Sequence, residues 1–321
     1  IDISEEIATI DVSSEFLKAD NVLIARAALV NTLTDIEGSK YVKIYVDGNE
    51  LTSNGKKDGT ILGVLGKYSN NLDEIAARET EKADVQNDIR QVDLELFFSD
   101  SQSMYLLPEV RKVSVKNNEY AWAILDSLVK GPSTAGTGLY PTIPKDTQLL
   151  DVKLIKSKDN KDKDGIEVYF SKEFKDNFKG GSAAELTTLG SIVYSVTSLP
   201  NIGWVKIYYK NSYGNFTDLP IGNMDLKLPL KRENFANILG RKIKIYFSDK
   251  DATNLLAEYR AINKHDKGVA KRIIEELING PDSENASSHF AVIPAGITKD
   301  DIKVWVSGQT IIVDLPNKFH I

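Results

Sequence analysis

At 321 residues the chain is long enough for two or three domains of roughly 100–150 residues each, and its 41% hydrophobic and 27% charged residues are those of a folded globular protein. A formal charge of −6 with no basic stripe argues against a duplex-binding surface, which sets clustered Lys and Arg against phosphates. Cysteine is absent, which excludes disulfides, thiol catalysis and thiolate metal sites, and no run approaches the roughly 20 apolar residues of a membrane-spanning helix.

Residues 1–51 read as strand, helix, strand. Ile7, Ile10 and Val12 mark a short strand. Ser13 or Asp20 is placed to cap the helix that follows, in which Leu23, Ala27, Val30 and Leu33 recur at three- and four-residue steps. Tyr41 to Val46 then alternates into the turn dipeptide Asp47-Gly48. The chain starts at Ile1, inside a repeated unit, and so reads as the trimmed start of a longer protein; a missing signal peptide or lipid anchor carries no weight. Residues 52–60 are polar and turn-rich, and 61–90 reads as an ordered, exposed connector with a short helix around Leu72, Ile75 and Glu79.

A fuller unit follows. Residues 94–98 are strand-like and end at Ser99-Asp100, and Val110, Val113 and Val115 suit a second strand. Asn117 or Asn118 is positioned to cap a helix reaching Lys130, with Trp122, Leu125, Leu128 and Val129 on one face and Gly131-Pro132 as its stop. In the loop 133–139, Gly136-Thr137-Gly138 is too short for a phosphate cradle. Residues 148–156 and 165–170 form an antiparallel pair, a helix spans about 183–199, and 205–209 is a final strand. Asn160, Asp162, Asp164 and Gly165 imitate the start of a calcium loop, but the twelfth position is Ser171 instead of Glu, and strands flank it. The turn therefore reads as a solvated hairpin tip. Residues 220–240, with Pro220, Pro229 and Gly240, form a second linker. From Arg241 another unit begins, whose helix at 268–278 gathers Val269, Ile273, Ile274, Leu277 and Ile278 on one face.

These units repeat. Phe97-Phe98-Ser99-Asp100 returns as Tyr246-Phe247-Ser248-Asp249, Leu106-Leu107 as Leu255-Leu256, Arg111 as Arg260 and Gly131-Pro132 as Gly280-Pro281, all at one constant offset. The second half of the unit has its match upstream, where 8–16 echoes 166–174 and Val42-Lys43-Ile44-Tyr45 echoes Val205-Lys206-Ile207-Tyr208. A third version of that segment stands at 311–319. The chain is half a copy, a whole copy and half a copy: 1–60, the C-terminal half; 61–92, a linker; 93–220, the complete repeat; 221–240, a linker; and 241–321, the N-terminal half.

Reactive constellations are absent from the pattern. His265, His289 and His320 all fall in the last copy and have no equivalent in the complete one, and neither HExxH nor Gly-x-Ser-x-Gly occurs. The recurrent acids are Asp100 with Asp249, Glu109 with Glu258, and Glu15 with Glu173, the last replaced by Lys318 in the third version. Asp100 and Asp249 follow a strand and a serine, which suits a turn bonding its own backbone. A carbohydrate-active enzyme would need two acids facing each other across a cleft. No catalytic residue, cofactor or metal ligand is assigned.

The strand-Ser-Asp opening at 94–100, Leu106-Leu107-x-Glu109, the helix end Leu128-Val129-Lys130-Gly131-Pro132, the turn Ile143-Pro144 and the run Val168-Tyr169-Phe170-Ser171-Lys172-Glu173-Phe174 together resemble the GerMN domain family, modules repeated in sporulation and spore-germination proteins. The resemblance implies an α/β (α+β) fold of tandem small modules, each a three-stranded or slightly larger sheet with two helices on one face, similar to ring-building motifs. It also implies an extracytoplasmic lipoprotein of a spore-forming, Gram-positive-type bacterium, attached to the membrane only through an N-terminal lipid anchor that this sequence does not contain. Such a protein would be a non-enzymatic scaffold or adaptor whose partners are envelope or sporulation-complex proteins. A peptidoglycan or polysaccharide binder, stacking sugars on Tyr140, Tyr208, Tyr209 and Tyr213, is the alternative.

Overall fold

The structure, a computed structural model, describes residues 1–4, 6–52, 62–68, 89–116, 119–133, 137–157, 163–218, 220, 223–308 and 310–319. The chain divides into two compact units, Ile1–Ser133 with Tyr140–Ile238, and Thr134–Leu139 with Leu239–Ile321. Both are α+β: small sheets, each backed by helices on its apolar face.

The first unit opens with β1 (Asp2–Ser4), β2 (Glu6–Val12), α1 (Val22–Thr34), β3 (Ser39–Val46), β4 (Asn49–Glu50) and β5 (Val64–Gly66). Strands β2 and β3 run parallel, with α1 as their crossover, and β1, β4 and β5 add antiparallel. Ala27, Val30 and Leu33, spaced to share one helix face, pack with Ala8, Val42 and Ile44 of the sheet. The helix cap is Asn21, whose side-chain oxygen accepts from the Ile24 N–H at 3.1 Å, and not Ser13 or Asp20. Ser13 instead precedes a short 3-10 turn, Ser14–Lys18, which delays the helix by two turns of chain. Strand β5 lies where an exposed connector was expected. Val64, Leu65 and Tyr68 are buried there, because Asn31 of α1 grips the Tyr68 backbone through both its amide groups, at 2.7 and 3.1 Å. The helix expected around Leu72 falls outside the described residues.

The complete copy in the same unit comprises β6 (Ile89–Ser99), β7 (Leu106–Lys116), α2 (Tyr120–Lys130), β8 (Leu149–Ile155), β9 (Asp164–Phe170), α3 (Glu173–Asp176), α4 (Ser182–Val196), β10 (Ile202–Lys210) and β11 (Phe216–Thr217). The β6–β7 hairpin reaches back into the expected connector, since Arg90 and Val92 pair with Val115 and Val113. Glu119 precedes α2 without a side-chain cap, and Asn117 and Asn118 lie outside the described residues. The second sheet runs β11-β10-β9-β8, with β9 and β10 parallel across α4.

Helix α4 is buried nearly all round, although Thr187, Thr188, Ser191 and Ser195 are polar. Their hydroxyls are satisfied at close quarters. Ser191 Oγ donates to the Phe97 carbonyl at 2.6 Å, Ser195 Oγ accepts from the Phe97 N–H at 2.9 Å, and Thr188 Oγ1 donates to the Thr142 carbonyl at 2.8 Å. Small side chains let the helix approach the edge of β6: a Cβ on Gly190 would stand 2.7 Å from Ile238 and 3.1 Å from Leu106. The stretch expected as a second linker wraps this helix. Leu226, Leu230 and Phe235 are buried, Leu230 exchanges two backbone hydrogen bonds with Val205, and buried Glu185 of α4 accepts the backbone N–H groups of Asn223 and Met224. Each expected linker thus begins with a strap that crosses the outer edge of β3 or β10 and closes over the adjoining helix.

The second unit repeats the first half of the complete copy: β12 (Gly240–Ser248), β13 (Leu255–Asn263), α5 (Val269–Ile278), β14 (Lys303–Ser307) and β15 (Thr310–Asp314). Its core joins Ile243, Ile245, Phe247 and Ile262 to Val269, Ile273 and Leu277 of α5.

Candidate functional site

The recurrent acids are occupied in holding the fold. Asp100 Oδ1 accepts the N–H groups of Met104 and Tyr105 at 2.7 and 3.0 Å, closing the β6–β7 turn. Asp249 does the same for β12–β13: the Asn254 amide and the Thr253 N–H hold its carboxyl down at about 2. Glu109 and Arg111 form a strand-borne latch on the end of α2. Arg111 Nε donates to Glu109 at 2.7 Å, its two terminal nitrogens reach the carbonyls of Ser127 and Gly131 at 3.3 and 2.8 Å, and Glu109 takes the Ser133 N–H at 3.0 Å. The guanidinium lies 5.4 Å from the Phe98 ring centroid. Glu258 and Arg260 rebuild this latch on α5, with the carbonyls of Glu276 and Gly280 as acceptors and Phe247 beneath at 5.5 Å. Glu15 is exposed and paired to Lys18, and Glu173, lowered chiefly by its bond with the Ser171 hydroxyl, is half-buried at the start of α3. Each of these acids is engaged locally, in a turn, at a helix end or with a neighbour in sequence.

Of the four tyrosines considered for sugar stacking, Tyr209 points into the core against Phe174, and Tyr140 pairs its backbone with Ser99. Tyr213 is 90% exposed at the β10–β11 turn. Tyr208 alone joins a platform, on the side of the four-stranded sheet opposite the helices. There Tyr208 stacks on Tyr169 at 4.9 Å between centroids with 9° between planes, and Phe216 meets Tyr169 edge-on at 5.0 Å. Lys153, Lys206 and Lys210 stand over these rings at 4.5, 5.1 and 5.6 Å. The lysines are balanced by acids on the same face: Asp151 and Asp218 pair with Lys153 and Lys206, and Glu167 accepts the Tyr169 hydroxyl at 2.7 Å. Burial, then that bond to Glu167, raises the Tyr169 phenol. An aromatic centre with a neutralised polar rim is the make-up of a protein-docking surface.

A second polar cluster was invisible in the sequence. Lys43 of β3, Glu50 of β4 and Glu95 of β6 form a buried triad, with Lys43 Nζ 3.2 Å from Glu95 and 3.8 Å from Glu50. Burial opposes the Lys43 charge, but Glu50 and Glu95 outweigh it and hold the ammonium well above its ordinary range. One cation serves two carboxylates, and Glu50 Oε2 accepts no hydrogen bond among the described residues. Burial therefore pushes Glu50 up to about 7 despite the pull of Lys43. Glu50 borders a cavity of about 690 Å³ together with Tyr45, Trp204 and Arg232. Arg232 is engaged there, bonding Thr197 Oγ1 at 2.8 Å and the Tyr194 carbonyl at 3.1 Å. Lys43 sits on the strand face opposite the α1 core, where periodicity foresees only solvent.

His265 is exposed, His289 touches Ser288 at 2.9 Å, and His320 lies outside the described residues. Among the described residues no group of three His, Asp or Glu could hold a metal ion. Of the calcium-like turn, Asp164 opens β9 and accepts from Ser157 N and Lys156 Nζ, both at 2.9 Å, while Asn160 and Asp162 lie outside the described residues. No helix among the described residues is long and apolar enough to cross a membrane.

The sequence matches the Germane family, described as sporulation and spore germination, over residues 1–52, 95–212 and 244–321. Among solved structures it is similar to the tandem GerMN domains of the sporulation protein GerM from Bacillus subtilis, at 18% identity over 70% of this chain and 78% of that one, with a TM-score of 0.35. It is also similar to the first GerMN domain of that protein, at 22% identity over 44% of this chain and 98% of that one, with a TM-score of 0.34. A protein of Clostridium perfringens described as a lipoprotein is similar at 27% identity over 45% of this chain and 89% of that one, with a TM-score of 0.30. No curated protein matches the chain.

Proposed function

The chain belongs to the Germane family of sporulation and spore germination, and from that premise we propose that it is a non-enzymatic scaffold on which proteins of an envelope complex assemble. It works outside the cytoplasm, held at the membrane by an N-terminal lipid anchor. The observation that carries this reading is the Tyr169–Tyr208–Phe216 platform, which presents stacked aromatic surface inside a charge-balanced rim on the less buried face of the sheet. The repeated acids support it, because in both copies where they recur they serve turns and helix ends.

The test is affinity capture from sporulating envelopes with the chain as bait. The unaltered chain recovers a defined set of envelope proteins, and a Tyr208→Asp, Phe216→Ala bait loses them. Recovery of the same set by both baits removes the platform as the docking surface. The same aromatic platform also favours a second reading, attachment to cell-wall glycan, since sugar rings stack on exposed aromatic faces. Sedimentation with purified cell wall, abolished by the same two substitutions, distinguishes it.

A further inference from the structure

The cavity beside Glu50 lies within the first unit and is lined by distant parts of its chain. Tyr45 and Glu50 come from β3 and β4, Lys163 from just before β9, Trp204 from the start of β10, and Lys231 and Arg232 from the strap after β11. At about 690 Å³ it has the size that encloses a small organic molecule. Its charge is uneven. Lys163, Lys231 and Arg232 are ion-paired to no carboxylate among the described residues, unlike Arg111 and Arg260. Arg232 is nevertheless held still. Its Nε donates to Thr197 Oγ1 at 2.8 Å, Nη2 donates to the Tyr194 carbonyl at 3.1 Å, and the guanidinium lies 5.1 Å from the Tyr194 ring centroid. All these partners are neutral, so the fork is fixed while its charge stays uncompensated, and Nη1 makes no hydrogen bond among the described residues.

We propose that this cavity binds a small organic anion, a carboxylate or phosphate carried on a sugar-sized body. Arg232 grips the oxyanion, because a planar guanidinium already fixed by neutral partners loses little freedom on binding. Lys163 and Lys231, both exposed, add attraction from the lining, and Tyr45 and Trp204 border the body of the ligand. The indole of Trp204 packs on Gly165, where a Cβ would stand 2.0 Å from the ring, so a residue without a side chain is what lets it lie there. Two acids share the lining. Glu233 is exposed, and the charge of Glu50 is taken up by Lys43 and, below about 7, by a proton. Neither is close enough to ion-pair with Arg232. The site shares no residue with the Tyr169–Tyr208–Phe216 platform, so either can fail without the other.

The experiment titrates the 321-residue chain by calorimetry, at low ionic strength, with glucuronate, glucose 6-phosphate and glucose. The expected result is saturable 1:1 binding of at least one of the two acids, the tighter one telling carboxylate from phosphate. Glucose, which lacks the anion, binds more weakly by about tenfold or more. Arg232→Met weakens the acid by about tenfold or more. Because Arg232 also braces α4, a second variant carries Lys163→Glu and Lys231→Glu, whose side chains are exposed and make no ion pair among the described residues. It shows the same loss with a circular dichroism spectrum matching the parent. Binding also changes the fluorescence of the chain, and Trp204→Phe removes that change. No saturable binding of either acid overturns the proposal. So does equal affinity for glucose, or binding that Arg232→Met or the paired lysine substitutions leave unchanged.

Discussion

The latches of the complete and third copies use the same Glu-x-Arg motif at the same point of the same hairpin, yet they are not equals. In the complete copy Arg111 has one carboxylate partner among the described residues, Glu109. In the third copy Arg260 faces three, Glu258 at 2.6 Å, Glu276 at 3.1 Å and Asp282 at 3.5 Å, and Glu258 further accepts from the Asp282 N–H and the Asn285 amide. The difference lies in what else holds the helix. Helix α2 is packed on its other flank by α4, with Ile124, Leu125 and Leu128 fully buried, while the matching Ile273, Ile274 and Leu277 of α5 are only partly buried. Where apolar cover is thinner, a charge network anchors the helix, and a network that deep is costly to break.

Three perturbations sharpen this contrast. The largest is Arg260→Met. It leaves Glu258 buried without its cation, while Glu276 keeps Arg272, and costs about 3–5 kcal/mol in the second unit, read as an earlier urea midpoint of Trp305 fluorescence. Arg111→Met, read through Trp122 and Trp204, costs clearly less, because its carboxylate is half-buried. Equal losses would remove burial as the reason for the larger network.

The next concerns pH. Glu50 titrates near 7 in the folded first unit against an ordinary 4.5, so over that interval the folded state keeps a proton that the unfolded chain has released. Stability of the first unit therefore falls as pH rises from about 4.5 to about 7, by up to roughly 3 kcal/mol. Glu50→Gln flattens this slope and leaves Lys43 paired to Glu95. The second unit behaves in the opposite sense, since Asp249, held at about 2, contributes stability above 3.8 that is lost as pH falls through 2. Urea midpoints across pH, read separately at the tryptophans of the two units, check both signs.

The smallest is Gly190→Val in α4. Its branched side chain meets Ile238, Leu106 and Phe235, and costs about 1–3 kcal/mol. The corresponding place in α1 is held by Ala27, already packed with its methyl in the core, so Ala27→Gly acts only by loss of that methyl and of helix preference, about 1 kcal/mol. A tolerated Gly190→Val, judged by an unchanged melting temperature, would show that the α4 seam has slack.

Helix and strand positions were legible because burial on one face writes a period into the sequence: Ala27, Val30 and Leu33 announce α1, and Val205, Ile207 and Tyr209 announce β10. The repeats were legible because the Asp turn and the Gly-Pro stop are local chemistry. The straps were not. Leu65, Tyr68, Leu230 and Phe235 sit among turn residues, and what buries them is a partner far along the chain. The same blindness hid the Lys43–Glu50–Glu95 triad, whose members stand up to 52 positions apart, and left Glu109 and Glu258 without a role. An acid recurring two residues before an arginine signals a side-chain pair on one strand face, and only the position of the helix end tells what the pair grips.

The seam between α4 and β6 joins residues 94 and 98 positions apart in sequence, whereas the β6–β7 hairpin and α2 close over short loops. Contacts of such separation form slowly, because a long loop must be ordered before they reward it. The hairpin and its helix, latch included, therefore assemble first as the chain collapses, and α4 settles against them last.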